Sequence, residues 1–122
     1  METACICRLR RIYKAIAAFE SQVEDSLGVN INQMMLLCLL AEKDDLSAGE
    51  IAVEMGLSRS NASKVIASLE KDGRVRRRTC KEDCRSQRFH LTRQGRELLE
   101  HVHCESLRLP DGLQRLVDSL DS

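Results

Sequence analysis

The chain has 122 residues, 43% apolar and 31% charged, with 19 Lys/Arg against 19 Asp/Glu; it suits one domain, or a small core with helical extensions. Aromatics make up only 2%, which argues against a single-strand binder built on base stacking, and the longest apolar run, Met34 to Ala41, is too short to span a membrane. Arg8, Arg10 and Arg11 interrupt the N-terminal apolar residues, so no signal peptide is visible; a cytoplasmic location is expected, with the six cysteines as thiols rather than a disulfide framework.

Residues 1–27 read as one long helix. Ile6, Leu9, Tyr13, Ile16, Val23 and Leu27 advance in steps of three and four, with Glu20 at the one missing place and Ile12 and Phe19 widening the stripe. Such a seam packs along another helix, in the same chain or across a dimer. Gly28 ends it. Asn30 and Gln33 resemble a capping box, and the apolar run that follows predicts a helix buried on most sides, with Cys38 as a small core residue. Lys43 to Asp45 then form a charged turn.

Ser47 and Glu50 are a second capping box, and Gly56 stops the short helix they begin. Ser58 can cap the next helix, whose Ala62, Val65, Ile66 and Leu69 form an apolar stripe. Its other face carries Arg59, Ser60, Asn61, Ser63, Lys64 and Ser68, and Gly73 closes it. Helix, three-residue turn, helix is the helix-turn-helix unit, whose second helix enters the major groove of DNA. Residues 74–79 and 87–92 then predict two strands with Val75, Phe89 and Leu91 facing inward. Between them, Asp83 can hold the loop while Arg85 reaches a narrow minor groove. From Ser58 to Arg96 there are 12 Lys/Arg and 4 Asp/Glu, a balance of 12 − 4 = +8 within a chain of net charge zero. Phosphates respond to that local field.

The stretch GLSRSNASKVIASLEKDG, then RVRRR, then Asp83 and Arg85 in D-x-R spacing, and Leu91, Thr92 and Gly95 in L-T-x-x-G spacing, resembles the MarR/SlyA family of bacterial winged-helix transcription regulators. The resemblance covers residues 30–96. It implies a mainly α fold with a small β-wing, a winged helix-turn-helix at 30–92, and dimerisation helices at 1–29 and 93–122, all in one domain. It implies a homodimer on a double-stranded, pseudo-palindromic operator, acting as a repressor relieved by a small-molecule effector or by cysteine oxidation. The DNA-contacting set carried over is Ser58, Arg59, Ser60, Asn61, Ser63 and Lys64 on the recognition helix, with Arg77, Arg78 and Arg85 on the wing. Asn61 suits adenine and Lys64 or Arg59 guanine, whereas Ser58, Ser60 and Ser63 suit phosphates. Arg77 shares the strand face of Val75, so it either contacts DNA or turns inward to a carboxylate.

Beyond Thr92 a helix carries Leu98, Leu99 and Val102; Pro110 and Gly112 break it, and a short last helix carries Leu113, Leu116, Val117 and Leu120. These helices are shorter than is usual in the family. Cys5 and Cys7, Cys80 and Cys84, and His101, His103 and Cys104 form the alternative site: a redox pair, or a Zn or Cu sensor, although C-x-C and H-x-H-C are not standard metal spacings. No resident cofactor is expected. His90, His101 and His103 have no evident acidic partner, and no nucleophile, phosphate loop or carboxylate pair suggests an enzyme. A winged helix that binds protein instead of DNA is the remaining alternative.

Overall fold

The computed structural model describes residues 3–79, 87–104 and 111–120. In chain order the elements are α1 (Thr3–Leu27), α2 (Ile31–Glu42), β1 (Leu46–Ser47), α3 (Ala48–Met55), α4 (Arg59–Lys71), β2 (Val75–Thr79), β3 (Gln87–Leu91), α5 (Arg93–Cys104) and α6 (Asp111–Leu120). They form two compact units, residues 31–105 and residues 1–30 with 106–122. The larger unit takes in α5 along with the helix-turn-helix and the strands. The reason is local. Thr92 Oγ1 accepts the Gly95 amide at 3.1 Å, capping α5, and donates to the Gly73 carbonyl at 2.7 Å. The start of α5 is thereby fastened to the turn that ends α4, and α5 packs on α2 and β3.

The core of the larger unit is built from α2 (Met34, Leu36, Leu37, Leu40), α3 (Ile51, Ala52), α4 (Ala62, Ile66, Leu69) and the strands (Leu46, Val75, Phe89, Leu91). The predicted stripe of α4 is the one buried. α2 departs from expectation: Met35 and Cys38 are exposed, so the helix buries one broad face rather than most of its surface. Its buried Gln33 donates Nε2 to Ser68 Oγ of α4 at 3.0 Å, a polar tie between the two helices.

Local chemistry sets the element ends. Ser47 accepts the Glu50 amide at 3.1 Å while Glu50 accepts the Ser47 amide at 3.0 Å, the reciprocal capping box that starts α3. Gly56, at φ 66°, ends it: its own amide reaches the Val53 carbonyl and the Leu57 amide the Ala52 carbonyl. A side chain would be strained in that left-handed backbone. The same pair of bonds, from Gly73 to Glu70 and Arg74 to Leu69, closes α4.

The strands form one antiparallel sheet in the order β1-β3-β2, with Val75 opposite Leu91, Arg77 opposite Phe89 and Leu46 opposite Phe89 from the other side. The two predicted wing strands are present. The third, β1, was not expected and follows directly on the charged turn Lys43–Asp45. Asp45, at φ 68°, turns the chain sharply from α2 into it, a conformation Asp tolerates better than most side chains.

In the smaller unit α1 packs with α6. Ile6, Leu9, Ile12, Tyr13 and Ile16 of α1 and Leu116, Val117 and Leu120 of α6 nevertheless remain exposed. No helix among the described residues is long and apolar enough to cross a membrane.

Candidate nucleic-acid interface

α4 presents the expected surface. Ser58 lies just before it, and Arg59, Ser60, Asn61, Ser63 and Lys64 are all exposed along its first two turns. Ser58 Oγ accepts the Asn61 amide at 3.1 Å, so its lone pair serves the helix and only its O–H can be offered to a phosphate. The Arg59 guanidinium folds back toward α3, with Nη1 3.6 Å from where a Gly49 side chain would begin. Arg59 and Lys64 form no ion pair among the described residues.

The wing strands sort their cations by face. Successive residues of a strand point to opposite sides, so Val75 and Arg77 share one face while Arg76 and Arg78 share the other. Of the two readings left open for Arg77, the inward one holds. Its Nη2 and Nε donate to the two carboxylate oxygens of Glu70 at 2.8 and 3.2 Å, and Nη1 donates to Gln87 Oε1 at 2.8 Å. The guanidinium carbon also lies 5.4 Å from the Phe89 ring centre. Hydrogen bonding to Glu70 pushes the Arg77 pKa above its ordinary value. Each guanidinium nitrogen thus already donates to a protein acceptor. Arg76, absent from the sequence-derived set, shares the exposed face with Arg78. Like Arg78 it is exposed and pairs with no acid among the described residues. The signal was available, since placing Val75 and Arg77 on one face places Arg76 and Arg78 on the other.

On that outer face, β3 carries two residues that are already occupied. Arg88 donates to Asp45 Oδ1 at 3.0 Å and to the Asp45 carbonyl at 2.6 Å, and its Nη2 is 3.2 Å from Glu50 Oε1. His90, its side chain only 15% exposed, has Nδ1 3.3 Å from Asp44 Oδ1 and Nε2 3.3 Å from Asp45 Oδ1. The second approach lacks hydrogen-bond geometry. The expectation that His90 has no acidic partner is therefore corrected. Both acids lie more than 40 residues upstream and reach it through the β1–β3 pairing.

Asp83, Arg85, Cys80 and Cys84 lie outside the described residues. The side chains of His103 and Cys104 are likewise outside, although their backbone is part of α5. Cys5 and Cys7 are exposed on α1 and His101 on α5. Among the described residues no three of His, Cys, Asp and Glu are placed to hold a metal ion. Cys38 is exposed as a residue, yet neighbouring groups desolvate its thiol and Glu42 adds negative charge. Both push its pKa up and keep it in the less reactive protonated form.

The sequence pattern of the MarR family matches residues 29–86. Sco3205 of Streptomyces coelicolor, a MarR family transcriptional regulator solved in complex with DNA, superposes with a TM-score of 0.70 at 31% identity, covering 82% of this chain and 69% of that one. The HTH-type transcriptional regulator PapX of Escherichia coli is 29% identical over 94 residues, 75% of this chain and 57% of PapX. The transcriptional repressor MprA of Escherichia coli K12 is 32% identical over 77 residues, 62% of this chain and 44% of MprA. The chain spans about half the length of the curated relatives it matches. With its capped helix-turn-helix, its wing strands and these relatives, the chain belongs to the MarR family.

Proposed function

We propose that this protein is a sequence-specific regulator of transcription that binds double-stranded DNA as a homodimer and represses. α4 lies in the major groove, and Arg85, as the family pattern implies, contacts the adjacent minor groove. The observation that carries the reading is the solvent face of α4. Small polar groups and two cations, Arg59 and Lys64, share one surface that no acid of the described chain neutralises. A solved relative, Sco3205, is in complex with DNA, and the name of MprA supports repression. Arg76 and Arg78 add sequence-independent phosphate contacts. The chain is a binder rather than a catalyst, acting where its operator lies, in the cytoplasm. Release by an organic effector or by thiol oxidation is the regulation proposed for it.

Duplexes selected by the protein from a random-sequence library, followed by fluorescence anisotropy at several salt concentrations, test this. Affinity should fall steeply with salt, and Arg78→Ala should lower the salt slope by about one while weakening all duplexes alike. Lys64→Ala should cost roughly 1–3 kcal/mol on the selected duplex and change which sequence is preferred. Recovery of no duplex, or binding that salt leaves untouched, would overturn the reading.

A further inference from the structure

One side chain joins the recognition helix to the wing. Arg77 of β2 takes both carboxylate oxygens of Glu70, in the last turn of α4, and reaches across to Gln87 at the start of β3. Beneath its guanidinium lies Phe89, 3% exposed and part of the core. Together with the Asp72–Arg74 turn, the packing of Val75 and the Thr92–Gly73 hydrogen bond, this contact relates the axis of α4 to the direction of the strands. The two-pronged Arg–carboxylate geometry fixes orientation as well as distance, which a single-point Lys contact cannot do.

We propose that Glu70 and Arg77 are positioning residues for DNA binding. They hold β2 and β3 at a set angle to α4, so that the helix and the wing strands meet the duplex in one register. The inference rests on the DNA-binding reading above. Arg77 is 46% and Glu70 24% exposed, so solvent screens the charge attraction between them. The effect of the pair belongs to binding, where two contacts linked by a rigid joint engage together only if the joint has the right geometry.

The opposite role for Arg77, a direct phosphate contact, makes Glu70 a competitor. Removing Glu70 would then free a cation and delete a negative charge near the phosphates, and binding would tighten. The brace predicts the opposite sign. The test uses the full 122-residue chain, a duplex selected by the wild type, and the variants Glu70→Ala, Arg77→Ala and the double variant. Circular dichroism checks folding, and Glu70→Gln, which keeps the side-chain size, replaces Glu70→Ala if that variant unfolds. Each single variant should weaken binding by roughly three- to tenfold, the scale of a part-exposed two-pronged pair. The double variant should be no weaker than the weaker single one. Hydroxyl-radical protection in the minor groove should fade while major-groove protection under α4 persists. Unchanged or tighter binding by Glu70→Ala would overturn the proposal, as would additive losses or equal fading in both grooves. Selection of no duplex by the wild type would instead bring down the DNA-binding reading itself.

Discussion

Glu50 serves two partners at once. It accepts the Ser47 amide as the third residue of α3, and it lies 3.2 Å from Arg88 of the wing strand β3. The Ser47 backbone hydrogen bond, then the Ser47 hydroxyl, then Arg88 hold its carboxyl below the ordinary glutamate range. A carboxyl whose folded pKa is depressed contributes stability that is fully present above its unfolded pKa and is lost as pH falls through the folded one. Melting curves of wild type and Glu50→Gln should therefore differ at neutral pH and converge as pH drops through and below the normal glutamate range. Gln keeps a neutral capping acceptor, so helix α3 remains while the charge-dependent part disappears. A gap that stays constant down to acid pH would mean the carboxylate charge contributes nothing. Ser47→Ala, which removes the other half of the box, should cost about 1 kcal/mol in urea unfolding at neutral pH.

At the scale of elements, what was legible in the sequence is what local chemistry decides. Ser47 with Glu50, Ser58, Gly56 and Gly73 each act within a few residues of themselves, and each helix end they predict is present. The alternation of Val75 and Arg77 gave β2 its faces for the same reason. β1 was not legible, because two residues become a strand only when Phe89 and Arg88 lie beside them. The partners of His90 and Arg88 were hidden with it. Cys38 was misplaced because a helix apolar nearly all round does not declare which side the protein leaves open. The L-T-x-x-G pattern was read as a helix entry, and the packing supplies its reason. A Cβ on Gly95 would run into the Arg74 carbonyl and the Leu91 side chain. In an isolated helix Gly→Ala gains about 1 kcal/mol, but crowding a backbone carbonyl that cannot move aside costs roughly 1–3 kcal/mol. Gly95→Ala is accordingly expected to lower urea-unfolding stability despite the better helix former. A more stable variant would show that the Arg74 turn yields freely.

For the whole molecule, the outstanding feature is apolar surface that α1 leaves exposed among the described residues. Ile6, Leu9 and Tyr13, the last 79% exposed, line one side of α1 at helical spacing, with Arg10, Lys14 and Ala17 beside them. Leaving this much contiguous apolar surface in water is unfavourable for a solitary chain, and the homodimer proposed above would cover it with the matching seam of a second copy through a twofold axis. Dimerisation then has a direct consequence for recognition. If the chain binds DNA as proposed, a pseudo-palindromic site would take two α4 helices at once, and linking two modest contacts raises affinity by roughly 10²–10⁴ over either alone. Leu9→Asp with Tyr13→Asp places charge on the seam while leaving α4 and the wing strands untouched. Sedimentation velocity should find the wild type as a dimer and the variant as a monomer that keeps its helical circular dichroism. Its affinity for a two-half-site duplex should fall by at least about a hundredfold, while binding to a single half-site stays close to wild type. If the variant remained dimeric, the seam would have to lie elsewhere. If it became monomeric and still bound the full site as tightly as before, one α4 helix and one wing would suffice, and the exposed stripe of α1 would have no part in reading DNA.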